Sequence, residues 1–122
     1  MRGFIIRQLL SRANSYMTYK SYGDAERIFC KMTIIDHNNI NARIGLGMAY
    51  MQQGKYADAV PQFEFLVSFG KQDDKRSKFD YISYRAFSLK MLAACYQVLG
   101  DREKMNSALQ ELKKMRGVQD AY

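Results

Sequence analysis

His37 is the sole histidine of this 122-residue chain, and it stands in the polar run Asp36-His37-Asn38-Asn39. An imidazole works as a general base or a metal ligand when a second group orients it or joins it. Asparagines do neither, so His37 reads as a turn residue. Cys30 and Cys95 lie far apart in helical patterns. No Cys/His cluster at ligand spacing surrounds them, so they read first as buried free thiols and second as a disulfide. The first reading implies a reducing, cytoplasmic setting. Asp73 and Asp74 are adjacent carboxylates in a basic stretch without a nucleophile or base beside them. There is no glycine-rich phosphate loop. No set of nucleophile, base and orienting group can be assembled, so the expectation is a protein that is not an enzyme and carries no metal and no cofactor.

Charge is the next chemistry available. The net charge of +7 is spread over three groups. Arg2, Arg7, Arg12 and Lys20 come first, with no acid before Asp24. Lys71, Lys75, Arg76 and Lys78 follow, diluted by Asp73 and Asp74. Lys104, Lys113, Lys114 and Arg116 close the series. No run of five basic residues occurs and no nucleic-acid motif accompanies them. Solvated helix faces are therefore the first reading, an acidic protein partner the second and nucleic acid the last. The apolar runs are only a few residues long, so no membrane span is expected. In the opening MRGFIIRQLL, Arg7 interrupts the apolar stretch and no small-residue cleavage site follows, so it does not read as a signal peptide.

What remains is a surface built from helices. The stretch Ile44 to Leu66 reads as helix, turn, helix. Leu46, Gly47 and Tyr50 share one face, Gly54 and Lys55 break the pattern, and Tyr56, Ala59, Phe63 and Leu66 recur at spacings of 3, 4 and 3. Small Gly47 and Ala59 let two backbones approach, and Tyr50, Tyr56 and Phe63 fill the space around them. The pattern repeats upstream at an offset of 34: Tyr16, Met17, Tyr22, Asp24, Ala25 and Phe29 match Tyr50, Met51, Tyr56, Asp58, Ala59 and Phe63. This predicts helices over Phe4 to Lys20 and Tyr22 to Ile35, with Asn39 or Asn41 capping the next helix. Ala25 and Ala59 should sit where paired helices cross. Downstream the offset becomes 46, which aligns Tyr96 with Tyr50 and Gly100 with Gly54. Leu92, Ala93, Met105, Leu109 and Leu112 fill further repeat positions. The 12 extra residues fall around Gly70 to Tyr81, with Gly70 ending a helix and KQDDKRSK as polar loop. Phe79 to Leu99 then reads as one helix, with Phe79, Ile82, Tyr84, Phe87 and Met91 as its apolar positions. Arg102 to Met115 is a last helix with the stripe Met105, Ala108, Leu109, Leu112 and Met115, suited to closing the end of a stack. Six helices and no strand are expected, in one domain over 1–122 with repeats near 4–37, 39–70 and 79–116. Phe4, Ile5 and Ile6 either fold back on the second helix or form a docking surface.

The order Leu46-Gly47-x2-Tyr50-x3-Gly54-x-Tyr56-x2-Ala59-x3-Phe63, at a 34-residue period, resembles a tetratricopeptide (TPR) repeat. Arg43 stands where the family usually has Trp, and Lys71 where it has Pro. Pro61 lies early in its helix, where the missing N–H is expected to cost less than in the middle. The resemblance implies an all-α, right-handed solenoid of three helix pairs whose first helices line a concave groove. By register the groove positions are Asn41, Ile44, Gly45, Met48, Met51 and Gln52, then Arg7, Leu10, Ser11, Asn14, Met17 and Thr18, then Phe87, Lys90, Met91, Ala94, Gln97 and Val98. The candidate partner-binding residues are Leu10, Asn14, Met17, Ile44, Met48, Met51, Phe87, Lys90, Met91 and Ala94. The set is apolar and rich in methionine, which adapts to a helical peptide. Met17 and Met51 read equally well as core. The family's cationic clamp for the acidic C-termini of Hsp90 and Hsp70 would fall on Leu10, Asn14, Gly45, Phe87 and Met91, where only Asn14 fits. In size and architecture the chain resembles the small TPR chaperones of bacterial type III secretion. That resemblance implies a protein partner held through an amphipathic helix, with a small co-chaperone in some cases. A general TPR scaffold or assembly adaptor without an export role is the alternative, and homo-oligomerisation is left open.

Overall fold

Three turns of one kind set the repeat. Lys20, Gly54 and Gly100 adopt positive φ, at 61°, 77° and 80°. The residue after each donates its N–H to a tyrosine carbonyl: Ser21 to Tyr16 at 2.8 Å, Lys55 to Tyr50 at 2.8 Å, Asp101 to Tyr96 at 2.9 Å. The left-handed residues themselves donate to Met17, Met51 and Gln97. This paired bonding closes a helix through one left-handed residue, where glycine is favoured because it has no Cβ to clash. The tyrosines that recur in the sequence mark the carbonyls of these closures.

The computed structural model describes the backbone of residues 1–72 and 78–120 and the side chains of 1–68 and 84–115. Six helices follow in order: α1 (Arg2–Thr18), α2 (Tyr22–Ile35), α3 (Ile40–Gln52), α4 (Tyr56–Gln72), α5 (Lys78–Leu99) and α6 (Arg102–Asp120). Among the described residues there is no strand. Asn39 caps α3, its Oδ1 accepting from the Ala42 N–H at 2.9 Å. Asp101 does the same for α6, accepting from the Lys104 N–H at 3.1 Å.

Several element ends differ from expectation. α1 begins at Arg2 rather than Phe4 and stops at Thr18, because Lys20 is already left-handed. α4 runs through Gly70 to Gln72. Gly70 therefore does not end the helix: one interior glycine costs about 1 kcal/mol, and Lys71 and Gln72 are good helix formers. Part of the expected loop is helical, and its centre, with Asp73, Asp74, Lys75 and Arg76, lies outside the described residues. α6 continues to Asp120, past Met115. Pro61 is the sixth residue of α4. By then the hydrogen-bond ladder has started, since the Ala59 N–H already donates to the Lys55 carbonyl. Pro61 thus removes one bond of the ladder, the one to the Ala57 carbonyl. Ala57 and Pro61 are both exposed, so water can take the freed carbonyl.

The chain forms two compact units, 1–62 and 63–122, divided within α4. In the first, α2 packs on α1 and α3, and α1 also touches α3. Its core is Ala13, Ala25, Ile28, Phe29, Met32, Ala42, Leu46 and Ala49, with Ile6, Leu9, Leu10, Tyr16, Met17, Cys30 and Tyr50 packed against it. Ala25 and Ala59 are both fully buried. The alanines let helices approach, and Phe29 and Met32 fill the space between them. Ile6 reaches this core, whereas Phe4 and Ile5 do not.

In the second unit α5 packs on α6. Phe63, Leu66, Leu89, Leu92, Ala93, Cys95, Tyr96, Ala108 and Leu112 are buried. Phe87 meets Phe63 edge-on, with ring centroids 6.1 Å apart. On α6, Met105, Ala108, Leu112 and Met115 face inward at spacings of 3, 4 and 3, but Leu109 lies round the helix and is 44% exposed. It was expected in the stripe. Glu111 instead reaches back, accepting from Arg85 Nη2 at 2.6 Å.

Candidate partner-binding face

The register residues of the first unit fall on two helices that touch, α1 and α3. Leu10 and Met17 on α1 are half-buried and rest on the core. Asn14 between them is exposed, and its backbone carbonyl accepts from Thr18 Oγ1 at 3.0 Å. On α3, Ile44, Met48 and Met51 are half-buried. Each therefore has one side supported by the protein and one side available, the condition for an apolar contact surface that does not collapse. In the second unit α5 carries Phe87, Met91 and Ala94, all half-buried, and Lys90, which is exposed.

Gly45 departs from its assigned place. A Cβ on it would lie 2.2 Å from Cζ of Phe29 and 2.3 Å from Cε1. It is a close-approach point between α2 and α3 rather than a free groove position. The constraint comes from a ring on another helix, and no spacing rule within α3 contains it.

The polar residues are engaged in holding turns. Arg43, at the family's tryptophan position, donates from Nη1 to Gln62 Oε1 at 3.0 Å and from Nη2 to the His37 carbonyl at 3.1 Å. Its Nη2 also lies 2.8 Å from Nδ1 of the exposed His37. Burial pushes the Arg43 guanidinium below its usual value. So His37 belongs to a turn tied to α3 and α4. Glu26 on α2 accepts from Gln53 Nε2 at 2.9 Å and Lys55 Nζ at 3.1 Å. Burial would raise its pKa, but these bonds and the Lys55 charge outweigh it and hold the carboxyl below its usual value. Sequence spacing gave no signal for either link. Beside Glu26 lies an open, polar depression of about 400 Å³ at the α2 end, bordered by Tyr22, Asp24, Arg27 and Gln53.

Cys30 and Cys95 are free thiols. Cys95 is buried, which pushes its pKa up. Cys30 is only half-buried, a correction to the expected burial, and its Sγ lies 4.0 Å from Tyr50 Oη. The Tyr50 phenol is pushed up to about 12, first by burial and then by the neighbouring Cys30. Among the described residues no three His, Cys, Asp or Glu side chains gather as a metal site. No described helix is long and apolar enough to cross a membrane.

No family model matches the chain. Solved structures do. The TPR domain of Arabidopsis FLU superimposes with a TM-score of 0.81, at 18% identity, over 97% of this chain and 99% of that one. This chain has a TPR fold. PcrH, in complex with the chaperone binding region of PopB, is a second TPR neighbour, with a TM-score of 0.75 and 19% identity over 95% of this chain and 84% of that one. The first TPR of Spaghetti (RPAP3), bound to the HSP90 peptide SRMEEVD, gives a TM-score of 0.53 at 21% identity, covering 94% and 93% of the two chains. In sequence, the human intraflagellar transport protein 88 homolog is 27% identical over 109 residues. That alignment takes in 84% of this chain but spans only 12% of the relative's length. At these identities the TPR likeness speaks for fold.

Proposed function

We propose that this TPR chain is a protein-binding adaptor that holds an amphipathic helix of a partner on the first-helix face. The observation that carries the reading is the row of half-buried apolar side chains on touching helices: Leu10 and Met17 on α1, Ile44, Met48 and Met51 on α3. A helix with apolar residues at i, i+3, i+4 and i+7 covers such a row, and methionine thioethers adjust to its shape. Asn14 borders the row as a polar contact. The second unit carries the equivalent positions on α5, Phe87, Lys90, Met91 and Ala94, and is tested by its own substitution. PcrH and the Spaghetti TPR, both bound to protein segments in their solved structures, support protein binding as the use of the fold. A cationic clamp is not the mode proposed here, because Leu10, Gly45, Phe87 and Met91 offer no cation at its positions.

Within this reading, likeness to PcrH favours a chaperone of the type III secretion kind. The match to the intraflagellar transport protein 88 homolog favours an assembly adaptor without an export role. Co-expression separates them. A chaperone keeps an aggregation-prone helical partner in the supernatant and releases it. An adaptor stays in a stable stoichiometric complex. Binding itself is tested by titrating a labelled amphipathic helical peptide. Met48→Glu should weaken it, and unchanged affinity in that variant would reject the α1–α3 face; Met91→Glu separately asks whether the α5 positions of the second unit bind.

A further inference from the structure

One repeat position is buried twice and left open once. Phe29, Phe63 and Leu109 follow the three helix closures at one fixed distance: Lys20 to Phe29, Gly54 to Phe63, Gly100 to Leu109. Phe29 is 1% exposed, and α3 covers it where Gly45 leaves room for the ring. Phe63 is 0% exposed and meets Phe87 of α5. In both cases a ring on the second helix of one pair lies under the first helix of the next pair. Leu109 holds the same position on α6 and is 44% exposed. At 100° per residue, Arg102, Leu109 and Lys113 fall within about 40° of one another around α6, and half-buried Met105 borders them. Arg102 and Lys113 are exposed, and neither takes part in an ion pair among the described residues. The earlier repeats carry no charge at these two places: they have Tyr22 and Thr33, then Tyr56 and Val67.

We propose that this side of α6 is a docking surface, separate from the first-helix face, for an acidic amphipathic helix of a protein partner, seated on α6 as α3 is seated on α2. The repeats supply the shape of the occupant, because a helix covers this position wherever another pair follows. Charge complementarity supplies its chemistry: an apolar residue covers Leu109, and Glu or Asp on its flanks pair Arg102 and Lys113. A plain end cap turns a polar outer side to water. α1 does so, with exposed Gln8, Ser11 and Ser15 where α3 has Ala42, Gly45 and Ala49, whereas α6 keeps a leucine at the covered position. The same polar side makes a second copy of this chain a poor occupant. Its α1 offers no apolar seat for Leu109, and Arg12 stands where α3 has buried Leu46. Two copies joined through α6 would set Arg102 and Lys113 against like charges.

The test uses the full chain carrying Met48→Glu and Met91→Glu. These changes remove the first-helix positions as a competing apolar contact, so the result stands whether or not that face binds. Fluorescein-labelled helical peptides share one leucine stripe and differ only in flanking residues, all Glu or all Lys. By anisotropy the Glu peptide should bind about tenfold or more tighter than the Lys peptide, and salt should erode the difference. Leu109→Ser, and separately Arg102→Glu with Lys113→Glu, should each weaken the Glu peptide about tenfold. Far-ultraviolet circular dichroism checks the fold, and the charge pair reads the same site if Leu109→Ser disturbs it. Equal binding of the two peptides, or a Glu peptide indifferent to these substitutions, overturns the proposal. Binding of neither peptide overturns it in favour of a plain end cap. Dimerisation in sedimentation that Leu109→Ser abolishes, in place of peptide binding, overturns it in favour of a second copy.

Discussion

Gly45 has no room for a side chain, and Phe29 is the reason. The ring is 1% exposed and cannot move aside. Gly45→Ala would ordinarily help a helix by about 1 kcal/mol. Here the clash should win, for a net loss of roughly 1–3 kcal/mol in urea unfolding, and a stabilised variant would contradict the packing. Tyr50 gives a second residue-scale expectation. Its folded pKa, pushed up to about 12, exceeds the ordinary phenol value. The fold therefore favours the neutral phenol. That contribution is complete below pH ~10 and fades as pH rises from ~10 towards ~12. Melting temperature followed through this window should fall more steeply in the wild type than in Tyr50→Phe; identical slopes would exclude the effect. Some of this was legible in the sequence. Tyr16, Tyr50 and Tyr96 recur because each sits four residues before the left-handed residue that closes its helix, and local constraints of that kind repeat with the chain. The contacts of Gly45 with Phe29, and of Arg43 with His37 and Gln62, join separate elements, so no local period carries them.

The helix closures belong to the scale of the element. Two of the three left-handed positions hold glycine and the first holds Lys20. An L-residue there costs about 1–2 kcal/mol, partly offset by the greater chain entropy glycine loses on folding. Lys20→Gly should therefore stabilise the protein by about 0.5–1 kcal/mol. Thermal unfolding measures this, and a loss of stability would mean that the Lys20 side chain makes a contact worth more than the strain. The same closures explain which boundaries the sequence carried well. α2 ends where its pattern indicates, and α3 starts at the Asn39 cap. α4 overran its expected end because helix-forming Lys71 and Gln72 follow Gly70 and outweigh one glycine. Leu109 fits the α6 stripe by spacing, four residues after Met105 and three before Leu112, yet it lies at the edge of the stripe and is exposed.

At the scale of the molecule, the TPR fold was readable because its constraint repeats: the same residue types return at one offset, and the downstream offset differs only by an insertion. The binding face was less readable. A repeat register names which side of a helix is available, but whether a methionine lies in the core or on the surface depends on how the neighbouring helix covers it. Met17 shows this: it rests against the first unit's core and is still half-buried. Each unit contributes its own half-buried residues, and the central claim is that those on α1 and α3 hold a partner helix. The most direct test is the affinity of an uncharged amphipathic helical peptide for the wild type and for Met48→Glu, by anisotropy, with circular dichroism as the control on folding. An unpaired carboxylate buried against the peptide's apolar side should cost about 2 kcal/mol or more, or roughly thirtyfold in Kd, while the helical spectrum stays unchanged because Met48 is half-buried at the surface. Equal affinity of the two proteins, with both correctly folded, would contradict the account.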